Sequence, residues 1–185
     1  GLPLGWVTAR FADLSEAFET TDPTKRPTEV FRYVDIGCID NRIHQILEAK
    51  EFNGKDAPSR ARRIAQTGDI LFSTVRPYLK NITFVSSEYD GVLTSTGITI
   101  LRPNPAVESN FLFYSVLRDE YIKEISGEMD GTLYPAVRDK DVYDSQIPLP
   151  PLNEQRRIVA KIEDQRPRSR AAKQALDAIP PQHER

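Results

Sequence analysis

The sequence predicts an α+β fold in which a mixed sheet with peripheral helices is followed by a C-terminal helical extension. Three observations carry this. Short runs rich in β-branched and aromatic residues recur between residues 6 and 101, the profile of strands. Residues 110–126 have the length and apolar content of a buried helix. Ile147-Pro-Leu-Pro-Pro-Leu152 is extended, because proline fixes φ and lacks an N–H, and it separates the strand-bearing part from a helical tail.

The elements follow in order. Trp6 to Arg10 reads as an opening strand. Residues 20–27 hold two prolines among small polar residues and read as an exposed loop. Val30 to Ile36 is a strand ending at Gly37. Gly54 to Arg63 is polar, contains Pro58, and reads as a loop or short helix. Gly68-Asp69 turns the chain into Ile70 to Val75, a strand buried on both faces. Arg76-Pro77 ends it, since proline cannot donate to a ladder. Residues 81–85 and 97–101 are further strands, and Asp90-Gly91 is a turn. Ser109 is expected to cap a helix from Asn110 to about Ser126, with Gly127 at its end. Residues 129–135 are a turn-rich loop. Asn153 is expected to cap a helix from Glu154, with Ile158, Val159 and Ile162 as its apolar stripe. Pro167 is expected to break or kink that helix before Ala171, Ala172, Ala175, Leu176 and Ile179 resume helical spacing up to Pro180-Pro181.

Composition narrows the functional classes. The 185 residues are 39% hydrophobic and 28% charged, which argues against wholesale disorder. Cys38 is the single cysteine, so an internal disulfide and a cysteine-based zinc site are excluded. No apolar run is long enough to span a bilayer, and the opening residues lack the pattern of a signal peptide, so a cytoplasmic protein is expected. The formal net charge is −2, but it is unevenly spread: residues 55–80 hold six basic and two acidic side chains. A local basic surface can hold phosphates on an acidic protein, because salt screens charges beyond about 8–10 Å.

Catalytic constellations are scarce. The two histidines are His44 and His183, so nucleophilic catalysis would rest on His44, which reads better as a satisfied boundary residue. No glycine-rich phosphate loop is present. Asp40, Glu48 and Lys50 have the spacing of a Mg²⁺-dependent nuclease site, an alternative that a charged chain also produces by chance. The binding features are stronger. Arg60, Arg62 and Arg63 cluster, and Arg76, Tyr78, Lys80 and Asn81 follow the buried strand directly. Arginine can bridge guanine and asparagine can pair with adenine in the major groove.

Four segments, in this order, resemble the specificity subunit of type I restriction–modification systems. They are Leu4-Gly-Trp-Val-Thr-Ala-Arg-Phe-Ala-Asp-Leu14, Gly68-Asp-Ile-Leu-Phe-Ser-Thr-Val-Arg76, Asp130-Gly-Thr followed by Val142 to Ile147, and Ile147-Pro-Leu-Pro-Pro-Leu-Asn-Glu-Gln-Arg-Arg-Ile-Val-Ala-Lys-Ile162. The resemblance implies a target-recognition domain with a curled mixed sheet over residues 1–150. Residues 151–185 would then begin the conserved helical spacer, truncated or kinked at Pro167. It implies non-catalytic recognition of double-stranded DNA, with each of two such domains reading half of a bipartite target. Adenine methyltransferase subunits and a restriction subunit are the implied partners, along with a second specificity half or a homodimer. No cofactor is expected on this chain; S-adenosylmethionine, ATP and Mg²⁺ belong to the partner subunits. The expected DNA surface comprises Lys25, Arg26, Arg60, Arg62, Arg63, Arg76, Tyr78, Lys80, Asn81, Tyr134, Arg138 and Lys140, with Arg76 and Asn81 reading bases. A protein-interaction module that never touches DNA is the second alternative.

Overall fold

The computed structural model describes residues 1–129, 132, 133 and 136–177; for residues 128, 129, 132, 133 and 167–177 it describes the backbone course only. Asp130, Gly131, Tyr134, Pro135 and residues 178–185 lie outside the described residues.

The α+β expectation holds. Two four-stranded sheets form the body. The first runs in the order Lys50–Asn53, Val30–Val34, Leu93–Ser95, Ala61–Ile64, and the second Ser15–Glu16, Ile98–Pro103, Ile70–Ser73, Ile82–Phe84. The second sheet is antiparallel throughout. In the first, Leu93–Ser95 runs parallel to Val30–Val34 and antiparallel to Ala61–Ile64, which makes it mixed. The chain passes from the first sheet into the second across Thr96-Gly97.

Ile70–Ser73 is central to this arrangement, and all four of its residues are buried. Ile70 and Phe72 face the helical side, packing with Leu112, Val116, Tyr121, Val142 and Ile147. Leu71 faces the first sheet, with Val34, Val85, Ile98 and Ile100. Period-two alternation along one short strand thus serves two cores.

The helical side differs from expectation in its details. Glu108, not Ser109, caps the helix Ser109–Leu117: its carboxylate accepts the Phe111 N–H at 2.7 Å. Arg118 is extended, and a separate helix, Asp119–Ser126, buries Tyr121 and Ile122. The Val7–Arg10 strand pairs antiparallel with Gln146–Leu149, which brings the opening residues beside the start of the C-terminal helix.

That helix runs from Leu152 to Asp177 and does not end at Pro167. Proline removes one donor, the bond to the Glu163 carbonyl. The Ala, Arg, Lys and Gln residues that follow favour helix strongly enough to continue it. Gln155 bolts the helix to the body. It is 1% exposed, its amide oxygen accepts the Glu108 N–H at 2.8 Å, and its amide nitrogen donates to Pro150 O at 2.8 Å. Trp6 Nε1 donates to Glu154 Oε2 at 3.1 Å from the other side. No helix of the described residues is long and apolar enough to cross a membrane.

Candidate nucleic-acid interface

The Gly68-Asp69 turn sets the root of the central strand. Gly68 has φ +88°, a conformation that glycine adopts freely, and donates to Val85 O at 2.8 Å. Asp69 is buried beneath it and binds Arg102 through both carboxylate oxygens, at 2.9 and 3.0 Å. It also accepts the Gln66 N–H at 2.7 Å. This motif therefore secures the near end of Ile70–Ser73, and candidate reading residues sit at the far end.

Four segments converge at that far end. Thr74 N–H and its hydroxyl both donate to Gly97 O at 3.0 Å. Val137 N–H donates to Thr74 O at 2.8 Å, and Val75 pairs with Ala136. Thr96 N–H donates to Arg60 O at 2.9 Å. A Cβ placed on Gly97 would lie 3.4 Å from Val75 Cγ2 and 3.5 Å from Arg60 Nη1. The Arg60 guanidinium therefore lies over Gly97 beside Val75, next in sequence to Arg76. Both arginines are exposed. Among the described residues, neither pairs with a carboxylate. Arg76 has φ +47°, a left-handed backbone uncommon for a side-chain-bearing residue. The loop from residue 134 to 140 was expected at this surface, but its pairing with the strand exit was not legible in the sequence, since Ala136-Val137 carries no strand pattern and pairs as a single isolated bridge.

Several expected contacts are committed elsewhere. Arg62 and Arg63 lie on a strand, not in the expected loop or short helix, because their guanidinium groups are matched by carboxylates that only the fold supplies. Arg62 pairs with Asp22. The Arg63 side chain is 13% exposed, pairs with Asp139 and donates to Ile98 O at 2.7 Å. Asp139 also accepts from Thr99, so Arg63 clamps the two sheets together. Lys80 pairs with Asp119 and donates to Leu117 O. The Asn81 amide donates to Ile36 O at 3.2 Å, and Tyr78 packs partly buried against the main core. A cation spent on a carboxylate must surrender that pair before it can neutralise a phosphate.

The remaining candidates are exposed. Arg138 and Lys140 sit near the strand exit, paired along their own helix with Asp141 and Asp144. Lys25 and Arg26 belong to a separate turn around Pro23–Lys25, packed where a Cβ on Gly54 would strike the Pro23 and Arg26 carbonyls. Arg26 pairs with Glu29 and lies over the Phe31 ring. Tyr134 is outside the described residues.

The nuclease alternative is not assembled. The Asp40 carboxylate accepts the Arg42 N–H at 2.8 Å and the Ile43 N–H at 3.3 Å, and these backbone bonds hold its carboxyl below the usual range. Lys50 turns away to Asp35. Among the described residues, no group of three or more His, Cys, Asp or Glu could hold a metal ion. Burial pushes the Cys38 thiol up, which disfavours the thiolate.

His44 is half-buried, with Nδ1 2.9 Å from Ile82 O and its ring edge-on to Phe113. Burial lowers its basicity below the ordinary 6.5, and the Arg166 and Lys80 charges lower it further. The folded state thus favours the neutral ring. Its stabilising contribution is present above about pH 6.5 and lost as the pH falls through the lowered value. Urea unfolding from about pH 7.5 to about pH 5 should show this loss, and H44Q should flatten that part of the profile.

The model of the type I restriction modification DNA specificity domain matches residues 3–171, and the chain belongs to that family. It is 30% identical over 109 residues to the type I restriction enzyme EcoDI specificity subunit of Escherichia coli, covering 59% of this chain and 23% of that protein. It is 28% identical over 131 residues to the HindI specificity subunit of Haemophilus influenzae, covering 69% and 28%. Among solved structures, it resembles the HsdS subunit from Thermoanaerobacter tengcongensis with a TM-score of 0.85 and 45% identity, over 94% of this chain and 45% of that one. A chain solved for complex assembly and conformational transition of the type I R-M system gives a TM-score of 0.88 at 45% identity, over 95% and 45%. The chain spans about a quarter of these curated relatives and under half of these solved chains.

Proposed function

We propose that this chain reads part of a double-stranded DNA target for a type I restriction–modification complex, without catalysing a reaction itself. Residues 1–150 act as the target-recognition domain and residues from 151 onward begin the helical spacer. Adenine methyltransferase and restriction subunits are directed to the site by the assembled specificity subunit. S-adenosylmethionine, ATP and Mg²⁺ act on those partners, in the cytoplasm. The observation that carries this reading is the strand exit: a strand buried on both faces leads into Arg76, and Arg60, just ahead of Ala61–Ile64, reaches the same loop cluster over Gly97; both are exposed and without a carboxylate partner among the described residues. Family membership supports it independently.

Rigid placement favours base contacts, whereas loop cations favour phosphates. Arg76→Ala in the assembled complex should therefore weaken binding to the target by about 1–3 kcal/mol and relax preference at one base pair. Mapping methylated adenines in cells carrying the variant system checks this. An unchanged methylation pattern and affinity would remove Arg76 from base reading.

A further inference from the structure

Among the described residues, three non-glycine residues have positive φ: His44 at +55°, Arg76 at +47° and Lys80 at +54°. All three fall in two turns that are bolted together. Asn41 Nδ2 donates to Leu79 O at 2.7 Å, the His44 ring binds Ile82 O, and Thr83 Oγ1 donates to His44 O at 2.8 Å. The Asn41–His44 turn is therefore held rigidly against the segment that begins at Arg76. Left-handed backbone is unfavourable for side-chain-bearing residues and persists where the surrounding structure imposes it.

Arg42 stands exposed in this turn. Its side chain is 86% exposed, and its contact to Asp40 is a long 3.8 Å. The Asp40 carboxylate is already engaged by two backbone N–H groups. Exposed Ile43 and Leu79 flank the joint, a mixture of charge and apolar surface that suits a nucleic-acid backbone with its sugars. We infer that the Asn41–His44 turn is a second DNA-contacting element, with Arg42 on a phosphate of the same duplex that Arg76 reads. This rests on the DNA-reading function proposed above.

The test uses the assembled complex and a duplex carrying its target, titrated over a range of salt. R42A should bind roughly three- to tenfold more weakly at low salt, with the slope of log affinity against log salt reduced by about 1 and the methylated sequence unchanged. R42K should restore the slope, because it keeps the charge; a purely structural guanidinium would not be rescued. If R42A binds with wild-type affinity and slope while R76A alters recognition, the turn is not a DNA contact and the reading surface stands without it. If neither variant alters binding, the DNA-reading surface itself is wrong.

Discussion

Asp69→Ala should destabilise the domain by about 3–5 kcal/mol, the cost of stripping one partner from a buried, hydrogen-bonded ion pair. Asp69 is 1% exposed and Arg102 has a side-chain exposure of 12%, so water cannot replace the lost carboxylate. The Asp69 carboxylate raises the Arg102 guanidinium above its ordinary value, and arginine stays charged throughout the working pH range. Deletion of Asp69 therefore leaves a fixed charge facing Ala17 O and a single longer contact to Glu19 at 3.4 Å. It also orphans the Gln66 N–H. Asp69→Asn keeps an acceptor for Gln66 but not the charge for Arg102, and should fall between wild type and Asp69→Ala. Urea unfolding of the chain measures both. A loss below about 1 kcal/mol for Asp69→Ala would mean that the turn does not depend on the pair.

Gln155→Ala should cost about 2–4 kcal/mol, because it leaves the Glu108 N–H and the Pro150 carbonyl without partners in the interior. The loss extends beyond one bond. Gln155 fixes Glu108, and Glu108 caps Ser109–Leu117, so helix and body should loosen together. Gln155→Glu should be no better: it can accept from Glu108 but cannot donate to Pro150 O, and it buries a charge. Hydrogen exchange should show early opening of residues 109–117 and 152–160 in Gln155→Ala, with the Ile70–Ser73 strand still protected. Uniform loss of protection across the body would show that Gln155 stabilises the whole fold and not the joint.

The legible elements were those whose burial shows in their own residue types. Ile70 to Ser73 reads as a fully buried strand because four successive positions are apolar or small. Ala61–Ile64 did not read as a strand, because Arg62 and Arg63 look like surface residues until Asp22 and Asp139 are brought to them from 40 and 76 positions away. The cap at residue 108 was missed for a similar reason. Ser109 is the better local cap, but Gln155 holds Glu108 outside the helix. Pro167 misled in the opposite sense, since one missing donor does not outweigh the helix-favouring residues that follow it.

Among the residues expected to contact DNA, exposure was only partly legible. Arg60 and Arg76 remain exposed. Arg63, Lys80 and Asn81 are instead drawn into packing between elements distant in sequence. Arg42 carried no local signal beyond its charge.

By itself, the sequence determined the α+β class, the central strand and the C-terminal helix, because each rests on residue types within a short window, and the family, because four short segments follow in the same order along most of the chain. Only the tertiary structure decided which cations are free. An arginine's availability depends on whether a carboxylate reaches it, and here those carboxylates arrive from other strands and helices through long-range folding.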